Sequence, residues 1–209
     1  MCISTVHLVL FCFVYLGGLI SSTGSSQPDV RRRIGLACDA VRRLAKIWKN
    51  KAISKETKVQ VYETMVLSIL CYNSETWTLT AVTNRQLRVF EMVCLRRIMD
   101  VTQRDHIKNV DIRACLDISR GYSRGIQARR LRYFGHVVRM GQHRLPNIAL
   151  YGRVEGNRPK GRPRKRWLDN VTDDCYHRGW SIAEATHLAT DRQCWRTYIR
   201  LSQRAPASP

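Results

Sequence analysis

IQARRLRYFGHVVRM, Ile126 to Met140, and GNRPKGRPRKRWLDNV, Gly156 to Val171, are the stretches whose reading decides the fold. The first places apolar residues three and four apart among arginines, the pattern of a basic amphipathic helix. The second breaks that pattern with proline and glycine and then resumes a helical period at Trp167. From Arg153 to Arg166 seven basic residues (Arg153, Arg158, Lys160, Arg162, Arg164, Lys165, Arg166) stand against one acid, Glu155. A segment of that composition is suited to phosphate.

The charge bias extends over the whole chain, with 36 Lys plus Arg against 16 Asp plus Glu and a formal charge of +20 over 209 residues. A field of that sign concentrates polyanions, so nucleic acid is the first expected partner and an anionic membrane the second, with a merely solvated surface as the bland account. No small-molecule substrate is expected. The length suits one or two modest cores, and a hydrophobic content of 44% is ordinary for a folded protein.

Eight cysteines, an even number, admit a disulfide framework, but no CxxC pair occurs. Cys38, Cys94 and Cys115 fall in apolar helical patterns, where free cysteine packs as a small hydrophobe. This favours a reduced, intracellular chain, nuclear or cytoplasmic. The run VHLVLFCFVYLGGLI offers the alternative, a signal over residues 1–24 that would send a secreted or membrane-associated interaction protein into the secretory pathway. Against it, no charged side chain precedes Asp29, and the run falls short of the ~20 apolar residues that span a bilayer. Phe11 to Ile20 reads instead as a buried strand and turn, with Gly17 and Gly18 at the bend.

Helices follow. Pro28 and Asp29 open one whose inward face is Val30, Ile34, Ala37, Val41, Leu44, Ile47 and Trp48. Ser54 caps a second, with Val59, Tyr62, Met65, Val66, Ile69 and Leu70 inward. Thr83 and Gln86 form a capping box for a third carrying Leu87, Phe90, Val93 and Ile98. A short helix spans Val110 to Ile118 and a longer one Gly125 to Met140. Beyond the linker, Trp167, Val171 and Cys175 predict another, and capping boxes at Ser181 with Glu184 and Thr190 with Gln193 start the last two.

Seven collinear blocks, FVYLGGLIS, DVRRRIGLA, ISKETKVQVYETMVLSILCYNSETWTLT, RQLRVFEMVCLRRIM, RDHIKN, RRLRYFGHVVRM and GRPRKRWLDNV, together resemble the region downstream of the palm in non-long-terminal-repeat (LINE-type) endonuclease-reverse transcriptases. The resemblance runs from about Phe11 to near Arg200. It implies that Phe13, Tyr15, Leu16 and Gly17 match a primer-grip-like strand and turn at the palm edge, and that Met1 to about Leu10 are a replacement start. It implies, too, a helical thumb that straddles template-primer. Such polymerases hold Mg2+ on a Tyr-x-Asp-Asp turn and an upstream aspartate, neither of which occurs here. The one Asp-Asp pair, Asp173-Asp174, follows a helical period. No cofactor is therefore expected in this chain, no catalytic residue is assigned, and the chain is read as not itself an enzyme.

The expected fold is mainly α, an irregular thumb-like helical bundle with a short N-terminal β-hairpin and a second small helical C-terminal region. Its parts are a palm-edge hairpin (1–27), the thumb-like bundle (28–100), a basic helical region (101–151), a Gly/Pro/Arg linker (152–166) and C-terminal helices with a frayed tail (167–209). The expected function is that of a nucleic-acid-binding fragment of a retrotransposon reverse transcriptase, gripping template-primer or target DNA, with an intact reverse-transcriptase palm as a further partner. A relic without selected function is the other alternative. The grip is assigned to Arg31, Arg32, Arg33, Arg42, Arg43, Arg129, Arg130, Arg132 and the run Arg158, Lys160, Gly161, Arg162, Pro163, Arg164, Lys165, Arg166. That run also resembles an AT-hook, whose Gly-Arg-Pro core lies in the minor groove of A·T tracts; the alternative is a solvated linker making phosphate contacts. Cys175, His177, His187 and Cys194 offer zinc-ligand types, though C-x-H-x9-H-x6-C fits no common structural pattern.

Overall fold

A computed structural model describes residues 12–118, 121–152, 161 and 163–204, the last three by their backbone alone. The replacement start, Phe11, and the site residues Arg158, Lys160 and Arg162 lie outside the described residues. The described chain is mainly helical and opens with one hairpin, the expected fold class.

Strands β1 (Cys12–Tyr15) and β2 (Gly18–Ser21) pair antiparallel, Cys12 opposite Ser21 and Tyr15 opposite Gly18. Leu16 and Gly17 make the turn, at φ +44° and +77°. Two successive positive φ angles match the right-handed twist of the strands, so the bend falls one residue earlier than the glycine pair suggested. Leucine is a poor choice there, and the turn is held from outside: the Tyr72 hydroxyl donates to the Leu16 carbonyl at 2.9 Å, and Arg32 (2.9 Å) and Arg33 both donate to that of Gly17. Contrary to expectation β1 is not buried, since nothing among the described residues layers over its outer side, and Phe13, Val14, Tyr15 and Leu16 are exposed.

Pro28 in the first turn opens α1 (Gln27–Arg43), which turns Val30, Ala37 and Val41 inward. The expected single helix breaks at Leu44 and restarts as α2 (Ala45–Lys49). The break lets the Trp48 indole donate back to the Val41 carbonyl at 2.8 Å, while buried Lys58 donates to the Trp48 carbonyl at 2.9 Å. Ser54 caps α3 (Lys55–Val61) through the Thr57 N–H. A π-turn over Tyr62–Val66 joins α3 to α4 (Leu67–Leu70). Its wider winding advances each residue by less than the usual 100°, which centres Tyr62, Val66 and Leu70 on the core and rotates Met65 out to 50% exposure.

Thr80, not Thr83, caps α5 (Ala81–Met99); Thr83 is the inner member of that box and is itself buried. Leu87, Phe90 and Ile98 face the core as expected, whereas Val93 is exposed. Helix α6 (Asn109–Cys115) leaves Cys115 exposed at its end, against its expected core role. Helix α7 (Tyr122–Val138) follows, then α8 (Leu145–Tyr151), which the sequence reading did not anticipate. Trp167–Tyr176 forms α9. Ser181 and Glu184 box the start of α10 (Ile182–Thr190) as expected. The start of α11 (Arg192–Arg204) is capped by Asp191, whose Oδ1 accepts from Gln193 and Cys194 at 2.7 and 3.2 Å. Thr190 cannot serve there, because its hydroxyl donates to the His187 carbonyl.

Two apolar cores result, and α7 belongs to both. Tyr122 and Ile126 complete the first, built on α1, the α3–α4 segment, α5 and α6. Ala128, Leu131 and Phe134 enter the second, with Val171, Cys175, Ala185, Ala189, Trp195 and Ile199. At Gly135 a Cβ would meet the Trp195 ring at 2.3 Å, so glycine is what lets α11 lie against α7 closely enough for the Trp195 indole to reach the Leu131 carbonyl at 2.9 Å. Asn170 of α9 bonds both the N–H and the carbonyl of Leu79, at 2.8 and 3.1 Å, and ties the second core to the loop before α5.

Buried Asp29 gathers the first core's edge. Its Oδ1 accepts the Leu19 N–H at 2.9 Å and its Oδ2 the Trp77 indole at 2.7 Å, with the Arg33 Nε 3.9 Å away. Asp29→Ala strands the buried Trp77 indole, the half-buried Leu19 N–H and the buried Arg33 cation, and should cost about 3–5 kcal/mol of unfolding free energy in urea titration; a loss under about 1 kcal/mol would contradict this assignment.

Burial pushes the Cys71 thiol up to about 11 and those of Cys94 and Cys175 to about 12, from an ordinary 9.0. The folded state therefore keeps protons that the unfolded state releases above pH 9. Stability from these thiols is intact below that pH and is lost as pH rises toward 11 to 12, so urea midpoints should decline along the alkaline limb. Replacing the three by alanine or valine should flatten that decline.

Candidate nucleic-acid interface

Helix α7 sorts its arginines by angle. At 100° per residue Ile126, Arg130, Phe134 and Val137 fall on one side, and all four are buried. Arg129, Arg132, His136 and Arg139 turn away from that side and Tyr133 stands at the border between the two sides; Arg132 and His136 are exposed and the other three half-buried, with Arg139 donating to the Ala189 carbonyl. These residues succeed one another at three and four positions, so they form one continuous strip along the helix.

Arg130 is thereby removed from the expected phosphate contacts. It is 3% exposed, and its Nε donates to Asp174 Oδ2 of α9 at 2.6 Å. Both ions are out of water, and the pair joins α7 to α9 in the second core. Arg33 is corrected in the same way: it is buried between Val30 and Ala37 on the inward stripe of α1, lies over the Tyr72 ring at 4.3 Å, and donates to Gly17. Burial lowers its pKa despite nearby Asp29. Arg32, half-buried, is spent on the same carbonyl. The signal was present in both cases, since each buried arginine stands three or four residues from apolar neighbours on either side.

The other candidates in the described residues face solvent. Arg31, Arg42 and Arg43 are exposed on α1, Arg42 beside Asp39. After the linker, Gly161, Pro163, Arg164, Lys165 and Arg166 are exposed. Arg164 reaches the Thr23 carbonyl at 3.4 Å, Lys165 pairs with Asp173 at 2.7 Å, and Arg166 pairs with Asp169 at 3.0 Å while its backbone N–H caps onto the same carboxylate. The run therefore lies against the body at its α9 end.

A second basic surface extends from the expected Arg42 to residues the sequence did not single out. Arg42, Lys49, Arg96 and Arg97, with Asp100 and Gln103, line a groove at the ends of α1, α2 and α5. Arg96 is committed within it to Asn109 at 2.7 Å. These residues close the last turns of their helices, where cations complement the macrodipole, and nothing in the local pattern marks them as more than that.

The primer-grip-like residues are together at the hairpin, with Phe13, Tyr15 and Leu16 exposed and Gly17 in the turn. The zinc-ligand types are not together: Cys175 is in the second core with its thiol pushed up to about 12, while His177, His187 and Cys194 are exposed. Among the described residues no three His, Cys, Asp or Glu side chains converge. Asp173 and Asp174 lie on helix α9, each taken by a cation, Lys165 and Arg130 respectively. They present no carboxylate pair of the kind that holds magnesium. No helix among the described residues is long and apolar enough to cross a membrane.

No family model matches the chain, and no solved structure does. It is 27% identical over 196 residues, covering 90% of this chain and 70% of the relative, to a protein of Caenorhabditis elegans named as transposon-derived. The likeness suggests a transposon-related origin.

The two arginine classes make opposite predictions. Arg130→Ala should cost about 3–5 kcal/mol, because Asp174 is left charged and buried, whereas Arg132→Ala should change unfolding free energy by under about 0.5 kcal/mol. Equal effects in parallel urea titrations would overturn the assignment.

Proposed function

We propose that this chain binds nucleic acid through the exposed strip of α7 and the neighbouring basic segment, and that it carries out no polymerisation itself. The observation that carries this reading is the sorting on α7, which leaves Arg129 and Arg132 on the outward side of a helix packed into two cores, while Arg139 donates to the Ala189 carbonyl at 2.5 Å. Guanidinium groups carried on a packed helix can meet successive phosphates, and the planar fork of each is pre-organised for phosphate oxygens. The transposon-derived relative and the resemblance to LINE-type reverse transcriptases both support a polynucleotide as the partner. In that reading template-primer or target DNA is the ligand, the nucleus or cytoplasm its place, and the exposed hairpin is the edge on which a polymerase palm would pack. The aspartates available, Asp173 and Asp174, support a binding role over a catalytic one, since each is neutralised on a helix.

Affinity for a fluorescent oligonucleotide, followed by anisotropy, should fall steeply with salt, by ~0.9 log units per log unit of salt for each duplex phosphate neutralised. Arg129→Gln together with Arg132→Gln should reduce that slope by roughly 2. Binding that is absent, or that ignores salt, would exclude the proposal.

A further inference from the structure

The strip on α7 is not only basic. Tyr133 sits in its middle with the His136 ring 6.4 Å away on one side and, on the other, the Trp167 ring at 5.9 Å and 83°, an edge-to-face contact. Trp167 is fixed in turn by its indole N–H, which donates to the Glu75 carbonyl at 2.8 Å. The three rings form a row across the α7–α9 junction that opens outward: Trp167 and Tyr133 are half-buried and His136 is exposed. Arg129 and Arg132 flank the row on α7, and Arg164, Lys165 and Arg166 lead into Trp167 from the other end.

Core packing does not account for the whole row. Trp167 packs against the second core, but His136 is not part of it, and Phe134, turned 100° from Tyr133 on α7, is the aromatic residue that fills it against Trp195 at 6.1 Å. Nor does duplex binding require rings, because the bases of a duplex are stacked on one another and a phosphate-binding strip needs cations alone. Rings set between cations are what an unpaired strand uses, since each free base offers a π-face and each phosphate a charge.

We propose that Tyr133 and His136, with Tyr133 braced by Trp167, are a stacking platform for the bases of single-stranded nucleic acid, and that Arg129, Arg132 and the Arg164–Arg166 run hold the phosphates on either side. The inference rests on the nucleic-acid-binding reading above and narrows its ligand to an unpaired strand. Asp169 and Asp173 lie at the margin of the face, each paired with a lysine or arginine of the run, which orients those cations and leaves the α7 arginines as the principal phosphate contacts.

The test compares three probes on the full chain at one salt concentration: a thymidine 20-mer, an abasic strand of equal length and charge, and a duplex of the same length. Stacking predicts that the thymidine strand binds at least ~5-fold more tightly than the abasic strand. Tyr133→Ala with His136→Ala should bring the two together without changing the salt slope, and Tyr133→Phe should keep the preference. Because Tyr133 is half-buried, His136→Ala alone is the second arm; at this exposed position it should narrow the preference while leaving the urea midpoint in place. Arg132→Gln should weaken both strands equally. Equal binding of thymidine and abasic strands by the unaltered protein overturns the platform while leaving nucleic-acid binding intact, and a base preference that survives the double substitution overturns its assignment to these rings. No binding to any probe overturns both the platform and the function on which it rests.

Discussion

A buried carboxylate sets the geometry of the first core. Asp29 enters on the first turn of α1, where the helix macrodipole favours an anion, and reaches both the β2 backbone at Leu19 and the Trp77 indole before α5. One side chain thereby connects the hairpin, α1 and a segment 48 residues further on. The hairpin depends on this connection, since a two-stranded sheet is marginal alone in water and no element among the described residues covers the outer side of β1. What holds it is polar: Asp29 from below, and Arg32, Arg33 and Tyr72 at the turn. The same device recurs at Glu91, which is 1% exposed and accepts the Tyr122 N–H at the start of α7 while pairing with Arg113, and at Asp174 with Arg130. In a chain with 16 acids against 36 bases, placing three carboxylates inside is costly in desolvation and useful for register. A buried ion pair adds little net stability over an apolar replacement, but it strongly disfavours any packing that separates its members.

That arrangement divides the arginines into two populations with different physics. Arg33 and Arg130 are internal, and their charge is answered within the fold. Arg129 and Arg132, beside Arg130 in sequence, remain available to a polyanion. The formal charge of +20 therefore describes the far field, whereas the near field that a polyanion would meet under the proposed function belongs to the outward strip of α7 and the segment ahead of α9.

Local signals were legible in the sequence and tertiary ones were not. The hairpin, the cap at Ser54, the Ser181–Glu184 box and the helices around Leu87, Phe134 and Val171 each depend on a few adjacent residues, and each is present. The displaced starts of α5 and α11 show the limit of such rules: the Thr83 hydroxyl serves as the inner member of the box that Thr80 opens, and the Thr190 hydroxyl is bonded to the His187 carbonyl, which leaves the cap of α11 to Asp191. Met65 defeated periodicity because the π-turn changes the period itself. At Arg33 and Arg130 composition pointed outward while spacing pointed inward, and spacing was the better guide. Their partners are a hairpin carbonyl and an aspartate 44 residues downstream, which no local window contains.

Helix α7 makes the candidate interface and the fold one problem. Its inward faces complete both cores, Gly135 admits Trp195 against it, and Glu91 and Asp174 fix it at two points along its length. A helix so constrained has little rotational freedom, and rotation by one residue would carry Arg130 into solvent and Arg129 toward the interior. The energetic cost of that rotation is a stranded Asp174, so the buried pair is what keeps Arg129 and Arg132 outward. Under the proposed function, binding and stability would then be coupled through neighbouring arginines. The arginines of RRLR can meet both demands, an internal partner for Asp174 and outward cations on the proposed phosphate-binding face, because successive residues of a helix point 100° apart.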